Sequence, residues 1–266
     1  MSAVADNKIL TPVSVIMPAY NAAAYIEEAI RSVMAQTYGA WRLLVLDDGS
    51  ADDTVDIVQR LAAEEPRITL LRNAENLGAA RTRNRGWDLC DEGYVAFLDS
   101  DDRWHPEKLA AQIALAEQTG ADILYTSYAI IGTDGNPCRH PYIVPEHTDF
   151  NHMLKENVIG CSAVLLSPQA ARKYRFSPSF YHEDYCLWLD MLRDGCRAAG
   201  CSRVLTEWRL VNGARSFDKK NGARQRWRIY REHLHLPLWK CATSFIGYAV
   251  SGIKKYGKKH KDETND

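Results

Sequence analysis

Tyr94-Val95-Ala96-Phe97-Leu98-Asp99-Ser100-Asp101-Asp102 (YVAFLDSDD, residues 94–102) runs an apolar stretch directly into three carboxylates within four positions. A short run of this kind, rich in aromatic and β-branched residues, suits a buried strand. Like charges held so close repel one another, so the end of that strand must meet something that offsets the repulsion. Asp99 and Asp101 sit two apart, and on an extended strand end their side chains could point the same way and jointly meet a hard cation. The alternative is that Asp101 or Asp102 caps the helix heralded by Pro106.

Outward from this stretch the pattern recurs. VSVIM (13–17), RLLVL (42–46), ITLL (68–71) and DILYTS (122–127) alternate with helix-period segments. That alternation predicts βαβ units, an α/β fold with a Rossmann-like, mostly parallel sheet flanked by helices. Asn21 is placed to cap a helix carrying Ile26, Ile30, Val33 and Thr37 on one face, and Asp52 or Asp53 to cap another that ends near Leu61. A third helix runs from Pro106 to about Gln118. TDGNPCRHPYIVPEHTD (133–149), rich in turn formers, reads as a long loop. AVLLS (163–167), a helix from Asp184 to Arg193, a strand RVLTEWR (203–209) and two helical stretches from Asn221 onward complete the order.

The 266 residues carry a formal net charge of -1, which argues against a general nucleic-acid binder. With 46% hydrophobic and 25% charged residues the composition is globular rather than disordered. Seven cysteines, an odd set without a CxxC pair, suggest neither a disulfide framework nor a structural zinc site, and fit reduced thiols in the cytoplasm. Asp6 and Lys8 interrupt the N-terminus where a signal peptide would be apolar. The uncharged run from Cys241 to Ile253 is too short to span a bilayer.

In open α/β sheets, ligands collect at the carboxyl ends of the strands. Three polar clusters fall there: Pro18-Ala19-Tyr20-Asn21 after the first strand, Asp47-Asp48-Gly49-Ser50 after the second, and Asp99-Ser100-Asp101-Asp102 after the fourth. Asp47 and Asp48 could accept hydrogen bonds from a nucleobase or ribose, or form an ordinary capping turn. NLGAARTRNRGW (76–87) brings Arg81, Arg83 and Arg85 to a helix start, where cations and free amides could meet phosphate, or could form a solvated basic face. Glu183-Asp184 opens a helix after the aromatic SFYH, and a carboxylate there can cap the helix or act as a general base.

Taken together, VSVIMPAYN, LLVLDDGSADDT, NLGAARTRN, FLDSDDRWHPEKL and HEDYCLWLDMLRDG resemble the family 2 glycosyltransferases of GT-A fold, over roughly residues 12–210. TSYAIIGTDG, VIGCSAVLLS and QRWRIYREH extend the likeness toward bacterial enzymes of teichuronic acid, O-antigen and capsule synthesis. The resemblance implies inverting transfer of a sugar from a nucleotide-sugar, usually a UDP-sugar, to a glycan or lipid-linked acceptor, with Mn²⁺ or Mg²⁺. It implies that Pro18, Tyr20 and Asp48 face the uridine with Asn21 beside them, and that Arg81 and Asn84 lie on the nucleotide side. Asp99 and Ser100 would lie at the ribose and metal region, Asp101 at the metal, and Asp184 would be the base. Arg209 and Ser216 fall in a region that often closes over the donor, though NGARSFDKKNG departs from the usual histidine-bearing version. The expected organisation is a GT-A catalytic domain over 1–220, with a nucleotide half at about 12–130 and an acceptor half at about 131–220. A C-terminal helical extension would occupy 221–266.

No QxxRW segment precedes a transmembrane region, as it does in the longer processive relatives, so a single or short-chain addition is expected. A Rossmann dehydrogenase is disfavoured because MPAYNAAAY lacks glycine after the first strand. The alternatives left are a sugar-nucleotide nucleotidyltransferase, which would want a glycine-rich basic loop there, and an inactive nucleotide-sugar-binding module. The C-terminal helix, with Trp239, Phe245, Ile246, Tyr248, Val250 and Ile253 ahead of Lys254, Lys255, Lys258, Lys259 and Lys261, is able either to lie on an anionic membrane or to dock on the catalytic domain.

Overall fold

The computed structural model describes residues 10–90, 92–211 and 219–257. Its spine is a single sheet built from ten strands among those residues. The first half holds β1 (Val13–Ala19), β2 (Trp41–Asp47), β3 (Ile68–Arg72) and β4 (Tyr94–Phe97), all parallel and ordered β3-β2-β1-β4. Val13, Val15, Leu43, Val45 and Ala96 are buried against the helices of one face, and Ile16, Leu44, Leu46, Val95 and Phe97 against the other. Burial on both faces explains why these strands read as continuous apolar runs rather than alternating ones.

The connections are α1 (Ile26–Met34), α2 (Thr54–Glu64) and α3 (Ala79–Asp88). Asn21 does not cap α1, which starts five residues later. It adopts a left-handed backbone, φ 48°, and its Oδ1 accepts from Ala51 N at 2.8 Å while its own N–H donates to Ser50 Oγ at 2.9 Å. Of the two candidates at α2, Asp52 is the one engaged. Its carboxylate accepts from Thr54 N at 3.1 Å and from Ala23 N at 3.0 Å, which ties the loops after β1 and β2 together.

The second half adds β5 (Arg103–Trp104), α4 (Lys108–Thr119), β6 (Ile123–Ile131), β7 (Pro137–Tyr142), β8 (His147–Thr148), α5 (Phe150–Lys155) and β9 (Val164–Leu166). After these come α6 (Pro168–Lys173), α7 (Glu183–Arg193) and β10 (Ala198–Arg209). Here the sheet turns mixed: β9 lies antiparallel between β4 and β6, while β10 runs parallel to β6. The segment expected as a long loop is instead partly β structure, because β7 folds back on β6 as a hairpin and β8 pairs with β10. Its prolines hid it, and they are tolerated because β7 pairs with β6 alone.

The chain continues through α8 (Lys219–Arg228), a π-helical turn at Ile229–His233 and α9 (Leu238–Gly257). Ile229, Tyr230, Leu234, Leu236 and Cys241 from this end pack in the same core as Phe97, Tyr185 and Trp188. All seven cysteines lie within the described residues, and all are free thiols.

Candidate active site

The chain runs outward from β1 to β2 and β3, then returns to place β4 on the other side of β1. That reversal leaves a crevice beyond the carboxyl ends of β1 and β4, the usual ligand position in such sheets. Pairing of β1 with β4 ends at Ile16 and Phe97, whereas pairing with β2 continues to Ala19 and Asp47. The loops that follow, Pro18–Asn21 and Asp99–Asp102, therefore flank one opening. Pro18 is half-buried there, and Tyr20 is 54% exposed.

Asp48 forms the floor at the end of β2. One oxygen accepts from Asn73 Nδ2 at 2.6 Å and Leu77 N at 2.8 Å, and the other from Gly78 N at 2.9 Å. The amides of Leu77 and Gly78 are thus occupied by Asp48 rather than offered to phosphate. Three donors fill three of the four acceptor directions of a carboxylate, leaving one on Oδ2 for a ligand N–H or O–H.

The acidic loop is held from behind. Asp102 is 2% exposed and accepts from Ser162 Oγ at 2.5 Å and from Arg209 N at 2.8 Å. Ser162 Oγ also accepts from Asp99 N at 3.1 Å. Burial, and then the charge of Asp101, push the Asp102 carboxyl well above the usual range. Neither Asp101 nor Asp102 caps α4. Arg209, expected near the donor, is buried behind the loop: its Nε donates to Asp101 O at 2.8 Å and its Nη2 to Glu28 Oε2 at 2.7 Å. Ser216 lies outside the described residues.

Asp101 differs from its neighbours. Half-buried, it has no ion pair and no side-chain hydrogen bond to another residue among the described residues, and burial followed by the Asp99 charge raises its pKa to about 6. Such a carboxylate fits a cation. Among the described residues no cluster of three or more His, Cys, Asp or Glu side chains is disposed to hold a metal ion, so a cation at Asp101 and Asp99 would need ligand oxygens, such as a diphosphate, to complete its shell.

The residue that organises the site is Arg83. It sits on the inward face of α3 with Ala80 and Trp87, at 6% side-chain exposure, and its two terminal nitrogens reach Asp99 Oδ1 at 2.5 Å and Glu183 Oε1 at 2.8 Å. Burial works to lower its pKa, but Asp99 and the surrounding acidic groups hold it well above the ordinary arginine value. Arg83 thereby joins the acidic loop after β4 to the first turn of α7, where Asp184 follows Glu183. Burial, then the Glu183 charge, raise the Asp184 carboxyl to about 6, a value suited to accepting a proton near neutrality.

Both ends of the Asn84 amide are engaged by the Phe176 main chain, at 2.8 and 2.9 Å, which ties α3 to the segment ahead of α7. Arg81 is exposed and lines a shallow groove with Leu71, Arg85 and Leu89. Ser100 is half-buried within the acidic loop. Of the aromatic residues near the base, Tyr185 is buried and donates to Met153 O at 2.8 Å, and Phe180 packs against His233. Tyr181 remains partly open.

The family model described as Glycosyl transferase family 2 matches residues 14–171. The chain is 35% identical over 243 residues to a putative teichuronic acid biosynthesis glycosyltransferase, TuaG, of Bacillus subtilis (strain 168), covering 91% of this chain and 96% of that one. It is also 35% identical over 251 residues to WfgD of Escherichia coli, named a UDP-Glc:alpha-D-GlcNAc-diphosphoundecaprenol beta-1,3-glucosyltransferase, covering 94% of this chain and 97% of that one. Among solved structures, S. aureus TarS 1-349 in complex with UDP-GlcNAc superimposes with a TM-score of 0.71 at 18% identity, over 95% of this chain and 76% of that one. The mannosyltransferase PcManGT of Pyrobaculum calidifontis, in complex with GDP-Man and Mn2+, gives 0.68 at 16% identity, over 92% and 76%. At these identities the structural likeness speaks to the fold alone, and the fold is GT-A.

Proposed function

Because the chain belongs to glycosyl transferase family 2, we propose that it is an inverting enzyme that moves a sugar from a UDP-sugar to a hydroxyl of a glycan or lipid-linked acceptor. It does so at the cytoplasmic face, in single or short additions, during synthesis of a bacterial surface polysaccharide of the teichuronic acid, O-antigen or capsule kind. The observation that carries this reading is the Asp99–Arg83–Glu183 bridge, which sets a donor-side acidic loop against a helix that opens on a carboxylate. One element meets the diphosphate while the other meets the acceptor. The names of the 35% identical relatives support the polysaccharide context.

In this reading Pro18, Tyr20, Asn21 and the open acceptor direction of Asp48 receive the uridine, and Arg81 lies on its outer side. Asp99 and Ser100 face the ribose and diphosphate, and Asp101 with Asp99 would hold Mn²⁺ or Mg²⁺, which when bound supplies positive charge to the diphosphate leaving group. Asp184 accepts the proton of the attacking hydroxyl. The hydroxyl attacks the anomeric carbon opposite the diphosphate, so one displacement inverts configuration and no enzyme nucleophile is needed. The buried cysteines fit that account, since burial pushes the thiols of Cys161 and Cys186 up, away from the thiolate.

The test is a panel of UDP-sugars with acceptor, scored for UDP release and for product anomer by NMR. UDP release with inverted configuration is expected. Pyrophosphate formed from UTP and a sugar phosphate, or retained configuration, would overturn the reading.

A further inference from the structure

The C-terminal helix α9 presents two unlike faces. Its inward face is anchored: Cys241 and Ser244 are buried, Phe245 meets Trp227 edge-on at 5.8 Å between ring centroids, and the Arg226 guanidinium lies 4.2 Å from the Tyr248 ring centroid. A Cβ at Gly247 would stand 2.7 Å from Lys155 Cγ, which shows how closely α9 rests on α5. Its outward face is apolar. Leu238, Trp239, Ile246 and Val250 are 62%, 69%, 63% and 46% exposed, with the exposed Ala242 and Ala249 between them. Positions 239, 242, 246 and 250 recur at helical spacing, so they form one stripe. The hydroxyl of Thr243, the exposed polar residue among them, donates to Lys240 O at 3.1 Å.

We propose that this stripe is a docking surface for an anionic lipid bilayer, with α9 lying in the plane of the interface. The proposal deepens the function given above and rests on it for the whereabouts of a lipid-linked acceptor. From Leu234 to Lys261 the sequence contains six lysines and no Asp or Glu, the acids Asp262, Glu263 and Asp266 coming only after it. An apolar stripe within a segment charged with one sign complements a surface that is apolar beneath and anionic above. A second copy of the chain offers the wrong complement, because two such segments would bring like charges together. The anchored inward face fixes the orientation, and tryptophan is the residue type that favours the interface between headgroups and acyl chains. No helix of the described residues is long and apolar enough to cross a membrane, so a helix of 20 residues here lies on the bilayer rather than through it. Since α9 packs on α5, and α5 on α7, the docked surface is two helices from the one that carries Asp184.

The test uses the full chain in flotation with vesicles of phosphatidylglycerol and phosphatidylcholine, against vesicles of phosphatidylcholine alone. Recovery with the anionic vesicles is expected, weakened by salt. In Trp239→Glu/Ile246→Glu recovery should fall by ~10-fold or more, since losing the burial of one large apolar side chain changes binding by about that factor. UDP release in lipid-free buffer should be unchanged in this variant, which shows that it is folded. Equal recovery of the two proteins would overturn the proposal, as would failure of the wild type to float. A lipid-free dimer, seen by light scattering and broken by the substitutions, would assign the face to a second copy and equally overturn it. Flotation needs no donor, so vesicle binding without sugar transfer would count against the function and not against this surface.

Discussion

Arg83 and Glu183 stand 100 positions apart in the chain and 2.8 Å apart in the fold, with the second terminal nitrogen of the arginine on Asp99. The guanidinium is planar and forked, so holding both carboxylates fixes the distance between the acidic loop after β4 and the helix that carries Asp184. Arg83→Lys keeps the charge but loses the fork. Transfer in that variant should fall by roughly 10²-fold, the scale of a displacement near 1 Å at the reacting groups. Arg83→Gln leaves Glu183 buried and unpaired and should cost stability as well, about 3–5 kcal/mol. Thermal melts with steady-state kinetics measure both, and near-normal kcat in a stable Arg83→Lys protein would refute the positioning role.

The pH profile follows from Asp184. Its carboxyl is raised from 3.8 to about 6 by burial and by Glu183, and a base works only when unprotonated. Transfer should therefore be steady above neutrality and fall as pH drops through about 6, rather than through the ordinary aspartate range near 4. The measurement is kcat at saturating donor between pH 4.5 and 8. A limb near 4 would show that the proton is taken by a group other than Asp184.

The fold was legible because its parallel half consists of strands buried on both faces, which leave unmistakable apolar runs; Asp101 falls in the loop after one of them, and Asp184 in the first turn of a helix. What escaped was set by tertiary packing. Arg83 shares a face with Ala80 and Trp87 at positions three and four apart, so helical periodicity held a signal: an arginine in an apolar stripe needs a buried partner. The sequence groups Arg81, Arg83 and Arg85 as one basic cluster, whereas that same periodicity turns Arg81 outward. The roles of Asn84 and Arg209 were not visible, since each is fixed by main-chain groups far away in sequence, Phe176 for one and Asp101 for the other.

Metal dependence is predicted to reside in Asp101. Asp101→Asn removes a charge that has no salt-bridge partner among the described residues, so the melting temperature should hold or rise slightly. Stimulation of transfer by Mn²⁺ or Mg²⁺ should be lost. Full activity of the wild type in EDTA would contradict this.

Gly86 tests the seat of α3. A Cβ there would stand 2.6 Å from Leu46 Cδ1 and 3.0 Å from Ile16 Cγ2, so Gly86→Ala pushes the helix off the sheet. The helix gains propensity, but overpacking a core costs about 1–3 kcal/mol and should win. Because Arg83 rides on the same helix, activity should drop further than stability alone explains. Denaturant melts and kcat measured on the folded fraction separate the two, and an unchanged protein would mean that Leu46 simply rotates away.

Asp184→Asn addresses the chemistry most directly. The substitution keeps the size of the side chain and its place at the start of α7, including the oxygen that accepts from Tyr185 N at 2.7 Å, while removing the proton acceptor. Burial raises the pKa of this carboxyl, which means that its charge is held at a cost in the folded protein, so the neutral amide should leave stability equal or slightly higher. Transfer should fall by about 10²–10⁴-fold, the usual share of general acid–base catalysis. UDP affinity should scarcely change, since in the proposed arrangement the donor is held from the β1, β2 and β4 loops and not from α7. Calorimetric titration with UDP, run beside initial-rate transfer, gives both quantities on one preparation. A parallel loss of UDP binding would place Asp184 on the donor side, and near-normal transfer would remove it from the chemistry altogether.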